Sequence, residues 1–401
     1  MRILIEPSGY KLGNMGDAAM LQVTVARLLE LWPGAQLQVI TRAPESLAVL
    51  CPRVSPLAAS GRSVWFRLRH WKRLAAQNNQ KGFESFVNKL KFKTEYAALL
   101  KEFNSAVENC DLFVVSGAGG LTDCFREHAI SVLDVIEFAK KKRKLVAMFG
   151  QGLGPVEDPD LRRRAAQVLP GGPLLCLRES QSGLPFAESL GVDRGHIRTT
   201  GDDAIEPACN QRPERIGEAI GVNLRVANYS EVEATQVQTV KRALHTAAEQ
   251  LGCALLPVPI SLPPNTSDPD TIREILDGSG GSDDGGAGLD TPLKIIRQIG
   301  LCRVVVTGSY HAGVFALSQG IPVIGLANST YYRDKFHGLA NQFSVGCETI
   351  FLHDPNLEEV LPRRLRAAWE SAEEVRPRLI EDAQWQIQQS RDAYRELKTF
   401  V

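Results

Sequence analysis

Residues 307–326 read TGSYHAGVFALSQGIPVIGL and place a histidine where one kind of structure gives way to another. A short apolar strand at residues 302–306 precedes this segment, and an amphipathic helix is predicted to begin beside His311. A second apolar strand follows Gly320. An imidazole between a strand and a helix can bind an anion or transfer a proton, because its ordinary pKa lies near neutral pH. His311 is therefore the first candidate for a catalytic residue.

Glycine-rich loops follow several other predicted strands, at the positions where ligands bind in open α/β sheets. The first loop, SGYKLGNMGD at residues 8–17, allows backbone amides to approach a ligand at a helix start, which favours anions. Asn14 and Asp17 in this loop are candidates for contacts with a sugar hydroxyl. A purely structural interpretation of Asp17, as the N-cap of the following helix, remains open.

Two further loops, SGAGGLTD at 116–123 and GQGLGP at 150–155, have the same character. In the first, glycines form a tight turn with exposed amides, and Asp123 is predicted to cap the next helix. Gln151 in the second is a candidate contact for an acceptor. None of these loops has the GxGxxG spacing, so a dinucleotide-binding fingerprint is not predicted.

Cationic side chains lie near the same strand ends. Arg178 follows an apolar strand, and it is predicted either to contact a ligand or to pair with Glu179 or another neighbour. Arg225 ends a strand in the second half of the chain, and the segment YYRDKF after His311 adds Arg333 and Lys335. Together with the glycine-rich turns, these cations predict a cleft between two sheets that binds a small anion carrying phosphate, carboxylate or both.

The order of predicted elements indicates an α/β fold with two doubly wound, parallel-sheet, Rossmann-like domains, as 401 residues exceed one ordinary core. We expect domains at 1–208 and 216–360, with a proline-containing linker at 206–215. The helical segment 361–401 is expected to pack back on the first domain. Strands are predicted at 2–6, 36–41, 111–116, 145–149, 174–177, 197–200, 219–224, 254–258, 302–306 and 322–326, and helices at 17–32, 123–142, 158–168, 181–190, 231–251, 270–277, 291–299, 311–319 and 361–398.

Composition excludes several classes of protein. The formal net charge is zero, so no overall field attracts nucleic acid or an anionic membrane. Eight cysteines are scattered without CxxC pairs, which predicts buried thiols in a reducing cytoplasm and no zinc site. We predict no signal peptide, and no run approaches the roughly 18 apolar residues of a membrane span.

Two segments interrupt the strand and helix pattern. Residues 61–101 hold ten Lys or Arg and two Glu. They are predicted to form a helical insertion with a solvated basic face, or else a surface for an anionic acceptor such as a phosphorylated or lipid-linked sugar, and no nucleic-acid-binding module accompanies them. The segment GSGGSDDGGAGLD at 278–290 is interpreted as a flexible loop or a lid over the cleft.

The motifs together resemble the polysaccharide pyruvyl transferase family. The matching segments occur in the family's order and are GNMGDAAML (13–21), VVSGAGGLTD (114–123), GQGLGP (150–155), LRESQS (177–182), TGDDAI (200–205), GVNLR (221–225) and YHAGVFALSQGIPVIGL (310–326). The resemblance implies a fold similar to the two-domain GT-B arrangement. It also implies transfer of a pyruvyl unit from phosphoenolpyruvate to two sugar hydroxyls as a ketal, with release of phosphate and with no metal or other cofactor.

By this resemblance, His311 matches the histidine of the family's Arg-x-His element. Where the family usually has arginine, this chain has Ser309, so one cation is absent: either Arg333 or Lys335 replaces it, or the donor differs. The assignments implied are His311 and Asp17 for catalysis; Arg178, Arg225, Ser309, Tyr310, Arg333, Lys335, Gly117, Gly119 and Gly120 for the donor; and Asn14 and Gln151 for the acceptor.

Two other functions remain open at this stage. The first is a glycosyltransferase that uses a nucleotide sugar, although only Glu231 and Asp334 are candidates to bind a ribose. The second is a non-catalytic member of a polysaccharide-assembly system, which the serine at position 309 favours. The expected partners are a small donor and a saccharide acceptor, which in a lipid-linked form would bring the protein to a membrane surface.

Overall fold

A computed structural model describes residues 1–78, 94–172, 174–263, 267–279 and 284–400. The predicted basic insertion and the predicted flexible loop lie partly outside these ranges, at 79–93 and 280–283. The described part of the insertion is helical, with one helix before the gap and one after it.

A parallel sheet forms the centre of the first half of the chain. Its strands are short apolar runs with buried side chains on both faces, which is typical of parallel sheets covered by helices. Within the described residues it has eight strands in the order β3-β2-β1-β4-β6-β7-β8, and β5 pairs with β6. The strands are β1 (Arg2–Glu6), β2 (Gln36–Thr41), β3 (Ser55–Ala58), β4 (Leu112–Val115), β5 (Ala118–Leu121), β6 (Leu145–Leu153), β7 (Leu174–Leu177) and β8 (Ile197–Thr199).

A second parallel sheet forms the centre of the second half. Within the described residues it has five strands in the order β10-β9-β11-β12-β13. Its central strands β11 and β12 are buried except at Arg303, whereas the edge strand β13 is only partly covered. The strands are β9 (Ala219–Asn223), β10 (Leu255–Pro257), β11 (Cys302–Thr307), β12 (Val323–Ala327) and β13 (Cys347–Phe351).

Helices cover both sheets, and several begin at a capping side chain that accepts from an otherwise unpaired backbone amide, as at Asn14, Asp158, Thr291 and Ser329. The helices are α1 (Met15–Leu31), α2 (Pro44–Leu50), α3 (Ala59–Asn78), α4 (Thr94–Asn109), α5 (Arg126–Lys141), α6 (Pro159–Val168), α7 (Gly183–Ser189), α8 (Ile205–Asn210), α9 (Ala234–Leu251), α10 (Asp268–Leu276), α11 (Pro292–Ile299), α12 (Tyr310–Ser318), α13 (Thr330–Gln342) and α14 (Leu357–Glu396).

The strand orders place one reversal of direction in each sheet, between β1 and β4 and between β9 and β11. Loops diverge at such a reversal and leave a crevice at the carboxyl ends of the strands. The two crevices meet, because the loop before α1 reaches the second half of the chain. The backbone amide of Met15 donates to the carbonyl of Ile260 at 2.8 Å, and that of Leu262 donates to Gly13 at 2.9 Å.

The long helix α14 passes from the second half to the first, as expected. Near its end, the ring of Tyr394 stacks on Phe149 with centroids 3.7 Å apart. Its hydroxyl lies 2.8 Å from Oδ2 of Asp203 and 3.0 Å from Oγ1 of Thr24. The C-terminal helix therefore closes over the first sheet through a buried polar and aromatic contact.

The strands and helices predicted from the sequence are present, with differences at their boundaries. Strand β6 continues four residues past its predicted end at Phe149, to Leu153. Helix α12 is not amphipathic, since all nine of its residues are buried. Six elements were not predicted: α2, β3, β5, α8, α13 and β13. The predicted linker 206–215 begins within helix α8.

Two capping predictions were wrong. Asn14, not Asp17, is the N-cap of α1, and its Oδ1 accepts from the amides of Gly16 at 3.0 Å and Asp17 at 3.2 Å. Asp123 does not cap α5, which begins only at Arg126. Instead the carboxylate of Asp123 accepts from the amide of Glu157 at 2.5 Å and so fixes the loop after β6.

Candidate active site

A cavity of about 230 Å³ lies where the carboxyl ends of the two sheets meet. Loops from both halves of the chain form its walls, and most of the residues predicted for the site reach it. The lining residues are Ser8, Asn14, Asp17, Gly119, Gly120, Phe125, His128, Arg178, Arg225, Tyr229, Ser309, Tyr310, His311, Tyr331, Tyr332 and Lys335. A second cavity of about 150 Å³ shares Arg178, Tyr310, Tyr331, Lys335 and Gly119 with the first and extends toward Pro155 and Phe186.

His311 lies at the start of α12 and is 7% exposed. Its ring packs directly on the first turn of α1, because a Cβ at Gly16 would lie 1.9 Å from its Cγ. Nε2 of the ring lies 3.6 Å from Oδ2 of Asp202. The imidazole is thus held between the two halves of the chain, with a carboxylate on one side and the cavity on another.

Asp202 links His311 to Arg178. Nε of Arg178 lies 3.0 Å from Oδ2 of Asp202 and donates to the carbonyl of Gly150 at 2.7 Å. Burial alone would raise the pKa of Asp202, but the attraction of Arg178 and His311 holds that pKa below its usual value. The carboxylate therefore stays ionised, and it balances part of the positive charge around it.

From the sequence, Arg178 was predicted either to contact a ligand or to form an ion pair with Glu179 or another neighbour. It does form an ion pair, and its partner is Asp202. The carboxylate of Glu179 accepts from the amides of Ser182 at 2.9 Å and Gly183 at 2.8 Å. The guanidinium of Arg178 keeps one free edge, since Nη1 has no hydrogen-bond partner among the residues that the structure describes. That edge can serve an anion in the cavity.

Arg225 is more fully committed to protein contacts. Its Nε and Nη2 bind both oxygens of Asp268, at 2.6 and 2.9 Å, and Nη1 donates to the hydroxyl of Tyr229 at 3.2 Å. Asp268 also accepts from Asn223 and from the amides of Ile260 and Ser261. This network fixes the loops of the second half and neutralises the charge of Arg225.

Lys335 reaches the cavity from α13 through a cage of aromatic rings. Its Nζ lies 4.2 Å from the ring centroid of Tyr331 and 5.7 Å from that of Tyr310. The guanidinium of Arg178 lies over the same Tyr310 ring, at 5.1 Å. Burial, together with the repulsion of Arg178, lowers the pKa of Lys335 to about 7. An anion beside this ammonium would favour its protonated form.

The first glycine-rich loop supplies the opposite wall. Asn14 and Asp17 both line the cavity beside the N-terminus of α1, which favours anions. Gly119 and Gly120 line it as well, and a Cβ at Gly119 would lie 3.0 Å from Nζ of Lys335. A side chain at position 119 would therefore crowd the lysine.

Three residues predicted for the site line neither cavity. Gln151 lies within the extended strand β6, and its amide donates to the carbonyl of Phe149 at 2.7 Å. Gly117 packs against Met20, whose methyl group would be 1.7 Å from an added Cβ. Arg333 points to its neighbour Asp334, with Nε 3.0 Å from Oδ1. Of the two cations expected to replace the missing arginine, only Lys335 reaches the cavity.

Sequence reasoning missed two important side chains, Asp202 and His128. Asp202 lies in the quoted TGDDAI motif, but its neighbour Asp203 looks equivalent in sequence. The structure separates them, because Asp203 binds the C-terminal helix through Ser390 at 2.6 Å. His128 lies on α5 with no sequence motif around it, and only the folded chain brings it to the cavity.

The described part of the chain contains no group of three or more His, Cys, Asp or Glu side chains arranged to hold a metal ion. Within the same residues, no helix combines the length and apolar character needed to cross a membrane.

Solved structures place the fold among the GT-B enzymes, a class that includes glycosyltransferases and sugar epimerases. UDP-GlcNAc 2-epimerase from Neisseria meningitidis, bound to UDP-GlcNAc, is similar with a TM-score of 0.57 and 11% identity, covering 100% of each chain. Arabidopsis thaliana UGT89C1 complexed with quercetin is similar with a TM-score of 0.57 and 11% identity, covering 100% of this chain and 98% of that one. At these identities, the likeness concerns the fold alone.

The family follows from the sequence match. The polysaccharide pyruvyl transferase family matches residues 14–330, a range that contains Asn14, Arg178 and His311 of the cavity. The chain belongs to this family, as the resemblance predicted. No curated protein matches the chain.

Proposed function

We propose that this protein transfers a pyruvyl group from phosphoenolpyruvate to a sugar of a surface or exopolysaccharide precursor and leaves it there as a ketal. The observation that carries the proposal is the convergence of His311, Lys335 and the free edge of Arg178 on one cavity between the sheets. Phosphoenolpyruvate carries a phosphate and a carboxylate, so its binding requires separate cations for two anionic ends.

In our proposal, the donor lies between Nη1 of Arg178 and Nζ of Lys335. Both cations lie over the ring of Tyr310, which lines the cavity. Lys335 supplies the charge that the family's arginine would supply at position 309. A charge-assisted hydrogen bond is worth about 1.5–3 kcal/mol. A donor pocket with Lys335 in place of the missing arginine should therefore bind the donor roughly ten- to hundredfold more tightly than a pocket without either cation. Arg225 is better suited to holding the loops through Asp268 than to binding the donor directly.

The reaction needs a proton at C3 of the donor, and we assign its delivery to His311. Protonation of C3 makes C2 electrophilic, so that a sugar hydroxyl can add there. The carboxylate of Asp202, 3.6 Å from Nε2, places a negative charge beside the imidazolium that the acid form carries. A positioned acid of this kind contributes roughly 10²–10⁴ in rate. Asp17 and Asn14, on the wall from the first half, are assigned to the acceptor.

The reaction as proposed consists of proton transfers and one group transfer, with no change of oxidation state that would need a redox cofactor. Arg178 and Lys335 supply the positive charge for the phosphate. The donor is a cytoplasmic metabolite, so we also propose that the reaction takes place in the cytoplasm.

The test is to incubate the purified protein with phosphoenolpyruvate and a panel of methyl glycosides and nucleotide-linked sugars. Phosphate release and the methyl signal of a pyruvyl ketal are measured together by NMR. We expect both in equal amounts, and a loss of at least 10²-fold in the rate for His311→Gln. If a nucleotide sugar stabilises the protein against heat while phosphoenolpyruvate does not, the glycosyltransferase interpretation replaces this one.

A further inference from the structure

His128 is a titratable side chain in the cavity that has no role in the reaction as proposed above. It lies in the first turns of α5, and it lines the cavity together with Ser8, Asn14 and Asp17. Within the described residues, neither nitrogen of its ring makes a hydrogen bond. Its ring meets that of Tyr10 edge to face, with centroids 6.2 Å apart. The cavity therefore has one histidine from each half of the chain.

The surroundings of His128 favour its neutral form. Burial lowers the pKa of His128, and the guanidinium of Arg62 lowers it further, against the opposing effects of Glu6 and Asp17. Arg62 is itself fixed in place by Glu6, with Nε 2.7 Å from Oε1. It also lies over the ring of Tyr10, at 5.0 Å. The positive charge next to His128 is therefore permanent.

The two histidines have different charged neighbours. His311 has the ionised carboxylate of Asp202 beside it, whereas the guanidinium of Arg62 acts on His128. Lys335 and Arg178 line the same cavity as both histidines. Asp17 is the carboxylate that shares the wall with His128. Two titratable groups in such different environments are suited to opposite roles in proton transfer.

We propose that His128 is the general base that accepts the proton of the acceptor hydroxyl, an inference that rests on the proposed pyruvyl transfer. In the first half-reaction, the hydroxyl oxygen bonds to C2 of phosphoenolpyruvate, its proton passes to His128, and His311 gives a proton to C3. In the second, the C2–O bond to phosphate breaks, and the phosphate leaves with the proton from His128. The second hydroxyl oxygen bonds to C2 in its place and gives its proton to His311. Both hydroxyl protons are then accounted for, one on C3 and one on phosphate.

The assignment also places the acceptor. The hydroxyl that reacts must lie within hydrogen-bond reach of His128 and close to C2 of the donor. The sugar would therefore enter along the wall that holds Asn14 and Asp17, facing the cations that bind the donor. A merely structural role for His128 would predict no effect on proton transfer.

The test compares His128→Gln and His128→Ala with the wild type, with His353→Gln as the control. His353 is also a histidine, but it is exposed and lines neither cavity. Binding of phosphoenolpyruvate is measured by calorimetry. Turnover is followed by phosphate release across pH 5–9, with the acceptor sugar that forms a ketal in the proposed NMR assay. We expect donor affinity to stay within about threefold and kcat to fall about 10²–10⁴-fold in both variants. The acid limb of the wild-type profile should disappear in them.

A second measurement does not depend on the acceptor. NMR titration of the histidine rings, with the His128 signals assigned by their absence in His128→Gln, should show a neutral ring at pH 7. A ring that is still protonated at pH 7.5 would overturn the inference, as would unchanged turnover in both variants or a loss of donor affinity equal to the loss of rate. If the wild type forms no ketal with any sugar, the proposed function fails, and the titration still decides whether His128 can act as a base.

Discussion

Replacing Gly16 by alanine should displace His311, the residue proposed to be the catalytic acid, while leaving the proposed donor-binding side chains Arg178 and Lys335 in place. The added Cβ would lie 1.9 Å from Cγ of His311 and 2.2 Å from its Nδ1. Ordinary contacts of this kind begin at 3.4 Å, so the ring has to move by about 1.5 Å. Displacement of a reacting group by about 1 Å can cost on the order of 10² in rate. We therefore expect kcat for phosphate release to fall about 10²-fold or more.

The donor affinity of this variant should change much less than its turnover, because the three atoms nearest to a Cβ at position 16 all belong to His311 and none to Arg178 or Lys335. Gly34→Ala is the matched control, since no atom lies within 4 Å of a Cβ at this exposed position. Calorimetry with phosphoenolpyruvate gives the affinity, and thermal unfolding shows that the fold persists.

A double mutant separates this explanation from a general disturbance of helix α1. If Gly16→Ala acts through the imidazole, it should cost almost nothing further in a His311→Gln background, because the coupled group is already absent. Full activity of Gly16→Ala would refute the placement of His311 in the reaction. So would a loss of the same size in both backgrounds.

Further predictions about charge and packing concern three residues: Asp202, Lys335 and Tyr394. Asp202→Asn leaves Arg178 without its buried carboxylate and should lower the free energy of unfolding by roughly 3–5 kcal/mol, measured in urea; an unchanged unfolding midpoint would contradict the pair. Because the pKa of Lys335 is lowered to about 7, its ammonium is present below pH 7 and lost above it, so donor affinity should fall as pH rises through 7, and Lys335→Arg should remove that dependence. The unfolded chain binds more protons than the folded one above pH 7, so this lysine makes stability rise with pH there, and a Lys335→Gln protein should lack that rise. Tyr394→Phe keeps the aromatic stacking but loses the hydrogen bonds to Asp203 and Thr24, and it should lower the unfolding free energy by about 1–3 kcal/mol, whereas a change in kcat without a stability change would be unexpected.

Strand positions were predictable because parallel strands covered on both faces are continuous apolar runs. The predicted end of a strand was wrong where backbone pairing, and not the apolar character of the side chains, decides where the strand ends. Strand β6 continues through Gly150 and Gln151 because the backbone there pairs with β5 and β7. This extension turned a predicted loop residue, Gln151, into a buried strand residue. The half-buried edge strand β13 has no such apolar run and was missed.

The glycine-rich loops located the site, but their side-chain contacts depend on tertiary structure. Asp202 and Asp203 are adjacent and chemically identical, yet one contacts His311 and the other the C-terminal helix. Likewise, nothing in the sequence pairs Arg225 with Asp268, since their partnership depends on the packing of two loops. The residue types indicated an anion site, and only the fold distinguishes the cations that are free from those already paired.

The most direct test of the central claim is a crystal structure of the protein with phosphoenolpyruvate. We expect the donor in the cavity between the two sheets, with its anionic groups within hydrogen-bond distance of Nη1 of Arg178 and Nζ of Lys335, and with C3 near His311. Phosphoenolpyruvate bound elsewhere, or held with its C3 remote from His311, would contradict it.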